Sequence, residues 1–168
     1  MENITLIGMP GAGKSTIGVL LAKKMGYAFC DTDISIQVQT GKTLSQLMVD
    51  IGGKALMELE SDIIASLTPH RQVIATGGSA VFGKKGMNNL AKHSHIVYLK
   101  VSLSEIESRV GDLVQRGVVL NGCKDIKELY DQRVPLYAHY GQIVIDCDGK
   151  TVEQCVQEIC RAVGEVEQ

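Results

Sequence analysis

The sequence has few of the features that mark a membrane-bound or secreted protein. It contains no tryptophan, two phenylalanines and three prolines in 168 residues. No run comes near the roughly 18 consecutive apolar residues that can cross a membrane, and no basic segment precedes an apolar run as in a secretory signal peptide. The five cysteines form no Cys-x-x-Cys pair. We therefore expect a cytoplasmic protein with free thiols and no membrane partner.

An excess of one charge is also lacking. The chain has 17 Lys and Arg against 19 Asp and Glu, a net charge of -2. Nucleic-acid-binding domains carry a marked positive excess, so we expect no nucleic-acid partner. Hydrophobic residues make up 45% and charged residues 21% of the chain, as in ordinary globular proteins. The length fits a single domain over residues 1–168, and we expect it to be a monomer.

Glycine, by contrast, is abundant. The 18 glycines are about half again the average usage. Glycine lets a backbone turn sharply and approach a ligand closely. The richness in glycine beside few aromatic residues therefore predicts a small-molecule site built largely from main chain.

Short apolar runs alternate with segments of helical periodicity. Such alternation predicts an α/β domain with a parallel sheet covered by helices on both faces. The stretch 111–124 is polar, contains glycine and lacks helical periodicity, so we predict a loop there. The predicted strands are 4–7, 28–30, 73–75, 96–100 and 143–146. The predicted helices are 14–25, 34–39, 44–67 with a break near 52–53, 103–110, 125–137 and 151–163.

Residues 8–15, GMPGAGKS, match the phosphate-binding motif G-x-x-x-x-G-K-[ST] and lie between a predicted strand and a predicted helix. In such a loop the glycines turn successive N–H groups toward phosphate, and the positive end of the helix adds to the attraction. Lys14 can reach the β- and γ-phosphates, and the Ser15 hydroxyl can bind Mg²⁺. The motif predicts binding of a nucleoside triphosphate.

Two further strand ends carry candidate site residues. Asp31 and Asp33 follow the second strand, where one carboxylate could hold a metal through water while the other accepts a proton from a substrate hydroxyl. Alternatively, Thr32 or Asp33 simply caps the next helix. Gly77 and Gly78 follow the third strand, where they allow close approach to a substrate or form an ordinary turn.

Taken in order, these segments resemble the shikimate kinase family. The resemblance rests on GMPGAGKST, the D-T-D at 31–33, VIATGGSAV at 73–81, Arg109 with Arg116, and Y-x-x-R-x-P-L-Y at 130–137. It implies a three-layer P-loop kinase fold of the nucleoside-monophosphate-kinase type, with a five-stranded parallel sheet. It also implies a substrate-binding helical segment at about 32–60 and a mobile lid at about 111–124. The implied activity is transfer of phosphate from ATP, with Mg²⁺, to a hydroxyl of a small molecule.

The resemblance also assigns roles to individual residues. It implies that Lys14, Asp33 and Arg116 are catalytic, with Asp33 at the reacting hydroxyl and Arg116 closing from the lid. It places Arg109 against the adenine and Mg²⁺ near Ser15 and Asp31. Arginines are otherwise most often solvated surface charges. The residues implied to hold the triphosphate are Gly11, Ala12, Gly13, Lys14, Ser15 and Thr16, and those implied to hold the substrate are Asp33, Gly77, Gly78 and Arg133.

The departures from the family fall on the substrate side. Met57 stands where the family has a second carboxylate-binding arginine, Leu56 where it has an aromatic residue, and Ser79 where it has a third glycine. Lys54, one helical turn before Met57, could compensate in part. Shikimate is the expected substrate, with another polyol, cyclitol or sugar acid as the alternative. A nucleotide-dependent regulatory module is a third possibility, although the chain lacks the guanine-reading N-K-x-D motif.

Overall fold

The computed structural model describes residues 3–110, 120 and 122–166, without the side chains of the last two. Its centre is a parallel sheet of five strands in the order β2-β3-β1-β4-β5, which confirms the predicted fold class. The inner strands β1 and β4 are apolar and buried along almost their whole length, as expected for strands covered on both faces. The strands are β1 (Ile4–Ile7), β2 (Ala28–Asp31), β3 (Gln72–Ala75), β4 (His95–Lys100) and β5 (Ile143–Asp146).

Helices follow the strands and form the outer layers. A single 3-10 turn, Ala80–Phe82, lies between β3 and the next helix. None of the helices in the described part of the chain is long and apolar enough to cross a membrane. The helices are α1 (Lys14–Met25), α2 (Thr32–Thr40), α3 (Leu44–Ser66), α4 (Lys84–His93), α5 (Leu103–Arg109), α6 (Ile126–Tyr140) and α7 (Val152–Val166).

Helix α4 is absent from the helices predicted from the sequence. Met87 and Leu90 are its buried apolar residues, and two apolar positions are too few to produce a recognisable helical pattern. Gly86 allows the helix to pack closely, because a Cβ there would lie 3.0 Å from the Ile64 side chain on α3. Tertiary packing rather than local propensity therefore accounts for α4.

Other boundaries follow the sequence more closely. Asp125 caps α6, as predicted, by accepting a hydrogen bond from the backbone N–H of Glu128 at 2.8 Å. Gly52 interrupts α3 with φ of 78°, close to the predicted break. Thr43 and Gln46 form a capping box that fixes the start of the same helix.

The apolar interior has two parts. The larger cluster lies around the sheet, whereas a smaller one, which we call the α2–α3 cluster, consists of Ile36, Leu47, Leu56 and Ile63. Because all four residues lie on α2 and α3, the α2–α3 cluster packs these two helices against each other within the helical segment predicted at 32–60. Most of the predicted lid at 111–124, including Arg116, lies outside the described residues.

Candidate active site

The candidate site lies where the carboxyl ends of β1, β2 and β3 meet. Because β1 is central and the chain continues to strands on either side of it, this edge is a topological switch point of the sheet. Ligands of open parallel sheets bind at such points. The phosphate motif follows β1, Asp31 ends β2 with Asp33 two residues later, and the paired glycines follow β3.

The phosphate loop, residues 8–15, has the conformation that its sequence predicts. Gly11 and Gly13 have φ of 82° and 89°, in the left-handed region that favours glycine. The helix α1 begins directly at Lys14, so its unpaired N–H groups face the loop. The arrangement is suited to binding an anion.

Lys14 is buried beneath this loop. Its Nζ donates to the carbonyl oxygens of Gly8 and Met9, both at 2.8 Å. Burial lowers the pKa of Lys14 to about 8, although the nearby Asp33 opposes the shift. A buried ammonium group beneath an anion-binding loop is strongly stabilised when a bound phosphate supplies the opposite charge.

Ser15 and Asp31 lie in direct contact at the mouth of the loop. The Ser15 hydroxyl donates to Asp31 Oδ2 at 2.6 Å, while Asp31 Oδ1 accepts from the backbone N–H of Asp33 at 2.9 Å. Asp31 is therefore the cap of α2, and the alternative that Thr32 or Asp33 caps this helix is wrong. The reason is that β2 extends through Asp31, which leaves Thr32 and Asp33 inside the first helical turn.

The same pair fits a magnesium ion. A hydroxyl and a carboxylate oxygen are ligands that Mg²⁺ prefers, and it usually takes the rest from water and substrate phosphates. Among the described residues no group of three or more acidic, histidine or cysteine side chains could hold a metal without such help. The donor set thus suits a metal that arrives with the nucleotide.

Asp33 points toward the loop that follows β3. A Cβ on Gly77 would lie 2.9 Å from Asp33 Oδ1, so the carboxylate directly faces this glycine. Burial, and then the negative charge of Asp31, raise the pKa of Asp33, while Lys14 lowers it. A carboxylate with a raised pKa is better matched to accepting a proton from a hydroxyl than an exposed one.

Gly77 and Gly78 are held by two other elements. The Gly77 N–H donates to Thr32 Oγ1 at 3.1 Å, and the Tyr137 hydroxyl donates to the Gly78 carbonyl at 2.7 Å. A Cβ on Gly78 would lie 2.8 Å from Arg133 Nη1 and 2.9 Å from a Pro10 ring carbon. The loop is therefore part of a packed site, and not an ordinary surface turn.

Arg133 is buried rather than solvated, with 1% of its surface exposed. Its guanidinium group lies over the Phe82 ring, 5.7 Å from the ring centre. A buried guanidinium at the wall of a cleft is suited to fork-like pairing with a carboxylate. Arg109 has a different setting, because it is half-exposed and pairs with Glu105 at 2.8 Å beside the phosphate loop.

Glu60 keeps the acidic residue that the family resemblance implies after Met57, but it was not among the predicted site residues. It is only 3% exposed, and its Oε2 accepts a hydrogen bond from the Ser79 hydroxyl at 2.7 Å. Burial raises the pKa of Glu60 to about 7, against the opposing effect of the Ser79 hydrogen bond. Its place four residues after the buried Leu56, on the inner face of α3, is the pattern that could have revealed it.

Met57 and Lys54 do not line the cleft. Met57 is partly buried against the α2–α3 cluster, and Lys54 is exposed. Leu56 does line the cleft, at the position where an aromatic residue was expected from the resemblance.

One continuous cleft of about 300 Å³ joins the phosphate loop to the carboxylates and Arg133. Its walls place the predicted nucleotide residues and the predicted substrate residues in a single space. Arg116 lies outside the described residues, and Asp31, Ala12 and Arg109 border the cleft without lining it. The lining includes Gly11, Gly13, Lys14, Ser15, Thr16, Asp33, Leu56, Glu60, Gly77, Gly78, Ser79 and Arg133.

The raised pKa of Glu60 has a measurable effect on stability. Between pH of about 4.5 and about 7 the folded state keeps a proton on Glu60 that the unfolded state has lost. We therefore expect the wild-type free energy of unfolding to fall across this range by about 3 kcal/mol more than that of Glu60→Gln. Urea denaturation at several pH values measures the difference. If the free energy of unfolding depended on pH in the same way in both proteins, a raised pKa of Glu60 would be contradicted.

Comparison with known proteins gives a consistent result. A family model described as shikimate kinase matches residues 10–164. The shikimate kinase of Thermodesulfovibrio yellowstonii is 37% identical over 164 residues, covering 96% of this chain and 94% of that protein. The shikimate kinase of Thermobifida fusca is 35% identical over 158 residues, covering 93% and 91%.

Solved structures agree. The chain matches the shikimate kinase from Acinetobacter baumannii in complex with shikimate with a TM-score of 0.88 and 26% identity, over 97% of this chain and 93% of that one. It matches the shikimate kinase from Aquifex aeolicus with a TM-score of 0.82 and 25% identity, over 96% of each. The fold alone is shared with a deoxyadenosine kinase from M. mycoides, at a TM-score of 0.53 and 19% identity.

Proposed function

Because the chain belongs to the shikimate kinase family, we propose that it transfers the γ-phosphoryl group of ATP to a hydroxyl group of shikimate. The observation that carries the proposal is the continuous cleft, which places a phosphate loop and a pocket with two carboxylates and a buried arginine side by side. Such a site supplies both an anion-binding end and an end that recognises a hydroxylated acid.

In this proposal Mg²⁺ is held by the Ser15 hydroxyl and by Asp31, directly or through water. When bound, the ion neutralises charge on the phosphates. The contact between Ser15 Oγ and Asp31 Oδ2 at 2.6 Å supports the assignment, since it brings both oxygen donors to one point beside the loop. Removal of divalent cations by EDTA should therefore abolish turnover, and added Mg²⁺ should restore it.

The protein's own groups account for the remaining chemistry. Arg133 binds the carboxylate of the acceptor and so fixes its orientation. Asp33 accepts the proton of the reacting hydroxyl, while Lys14 offsets the charge that develops on the transferred group. Arg116 is assigned to the same charge-stabilising role, and Arg109 to the adenine.

We further propose that the protein works as a monomer in the cytoplasm. One chain supplies both ends of the cleft, so the site needs no second subunit. The five cysteines are free thiols, as is usual in a reducing compartment.

The proposed function is tested by a coupled assay of ADP release over a panel of hydroxylated metabolites. Saturable, shikimate-dependent ADP release is expected, with formation of a phosphorylated product. Use of another polyol, cyclitol or sugar acid in place of shikimate would support the second candidate function, which Met57 motivates. If the protein binds ATP but releases ADP with none of the metabolites, a regulatory module would be indicated instead.

Restoring an arginine at position 57 tests the consequence of Met57. The position lies three residues before Glu60 on the same side of α3, so a longer side chain there can extend toward the cleft. We expect Met57→Arg to lower the KM for shikimate by about tenfold, because a second charge-assisted pair to a carboxylate forms. Met57→Gln, of similar length without the charge, is the matched control. An unchanged KM in Met57→Arg would show that Arg133 alone binds the carboxylate.

A further inference from the structure

We propose that Ser79 and Glu60 form a hydroxyl-binding pair in the acceptor pocket. Ser79 holds Oε2 of Glu60 so that the other oxygen, Oε1, accepts a hydrogen bond from an acceptor hydroxyl beside the reacting one. Ser79 is thus a positioning residue, and the acceptor must carry at least two neighbouring hydroxyl groups. This inference rests on the proposed function and specifies how its acceptor is recognised.

The first support is the state of the two carboxyl oxygens. The Ser79 hydroxyl donates to Oε2 at 2.7 Å, whereas Oε1 is buried and has no hydrogen-bond partner among the described residues. Buried carboxylate oxygens are almost always hydrogen-bonded, because leaving one unpaired is unfavourable. Glu60 lines the cleft, so a bound molecule can supply the missing donor.

The second support is the space in front of this oxygen. A Cβ on Gly77 would collide with Glu60 Oε1 and would lie 2.9 Å from Asp33 Oδ1. The two carboxyl groups therefore face the same glycine from different helices, α3 and α2. A molecule that places one hydroxyl at Asp33 can place an adjacent one at Glu60, as a vicinal diol does.

The third support is the electrostatic setting. Among the residues that the structure describes, the charged groups near Glu60 are Asp33 on α2, Lys14 on α1 and Arg133 on α6, and Ser79 faces it from the loop after β3. Burial raises the pKa of Glu60, and the Ser79 hydrogen bond, Arg133 and Lys14 lower it. Loss of the Ser79 hydroxyl should therefore raise the pKa further and weaken Oε1 as an acceptor near neutral pH.

The test compares Ser79→Ala with Ser79→Thr, which keeps a hydroxyl. We expect Ser79→Ala to raise the KM for shikimate by about tenfold. Its kcat and its KM for ATP should change by less than about twofold, since the pair does not contact the phosphates. The rise of kcat/KM with pH should shift to higher pH in Ser79→Ala and stay in place in Ser79→Thr.

Acceptor analogues that lack one non-reacting hydroxyl identify the contacted group. The wild type should lose about tenfold in kcat/KM with one such analogue, and Ser79→Ala should lose less than about threefold with the same compound. Ser66→Ala serves as a control, because this hydroxyl on α3 donates to the Ile63 carbonyl, away from the cleft. Unchanged KM and pH profile in Ser79→Ala, with a normal melting temperature, would overturn the inference.

Calorimetric titration of shikimate into the wild type separates this inference from the proposed function. Binding without ADP release would contradict the proposed function, and the Kd ratio between wild type and Ser79→Ala would still test the pair. If shikimate shows neither binding nor turnover, both the proposed function and the Ser79–Glu60 pair are rejected. Turnover with equal acceptor affinity in the two proteins would reject the pair alone.

Discussion

Asp33→Asn is expected to fold normally and bind ATP but to transfer phosphate about 1,000-fold more slowly than the wild type. The amide has the shape of the carboxylate but cannot accept the proton of the acceptor hydroxyl. Burial raises the pKa of Asp33 and thereby improves its match to that task. Single-turnover measurement of product formation, together with ATP binding by calorimetry, separates the loss of chemistry from a loss of affinity.

The matched control is Asp62→Asn. Asp62 lies on the exposed side of α3, where it pairs with Lys85 at 2.7 Å. Loss of an exposed pair has little effect on stability and none on the site. Near-normal turnover in Asp33→Asn would show that another group takes the proton and that Asp33 only orients the acceptor.

Lys14→Met is expected to lower kcat/KM for ATP by about 100- to 1,000-fold, because it removes the cation beneath the phosphate loop. At pH 7 and in the absence of nucleotide, its free energy of unfolding should remain within about 1 kcal/mol of the wild-type value. Two hydrogen bonds from Nζ to Gly8 and Met9 are lost, but so is a buried ammonium group. The substitution should therefore lower activity greatly while it leaves the free energy of unfolding almost unchanged.

The pH dependence of stability distinguishes this account from a simple packing effect. Burial lowers the pKa of Lys14 to about 8 from a usual value of 10.5, so the unfolded state holds more protons between these values. The wild-type free energy of unfolding should therefore rise relative to Lys14→Met as pH increases from about 8 to 10.5. Lys23→Met, at an exposed position on the same helix, should show neither effect. If the free energies of unfolding of the wild type and Lys14→Met differed by a constant amount across this range, the lowered pKa of Lys14 would be contradicted.

The predictions that the structure confirms depend on local patterns. The phosphate loop has fixed spacing, and α1 begins and ends where the sequence predicts, at Lys14 and Met25. The parallel sheet follows from strands whose residues are apolar on both faces. Asp125 was identifiable as a cap because a polar residue precedes a helical run.

Features that depend on distant contacts could not be predicted in this way. The cap of α2 is Asp31 because β2 runs one residue further than its apolar pattern indicates. The burial of Arg133 depends on Phe82 and on the glycine loop, neither of which is close to it in sequence. The pairing of Glu60 with Ser79 joins positions 19 residues apart.

Asp31 gives each of its two oxygens to a different element, one to the first turn of the helix that carries Asp33 and one to Ser15 of the phosphate loop. In the proposed mechanism, a nucleotide whose metal displaced Ser15 or Asp31 would therefore also change the start of α2, the helix that carries Asp33. By thermodynamic reciprocity, an acceptor that shifts this helix changes nucleotide affinity by the same factor as the nucleotide changes acceptor affinity. Through this one carboxylate, the affinities for nucleotide and acceptor are expected to be coupled equally in both directions, whichever binds first.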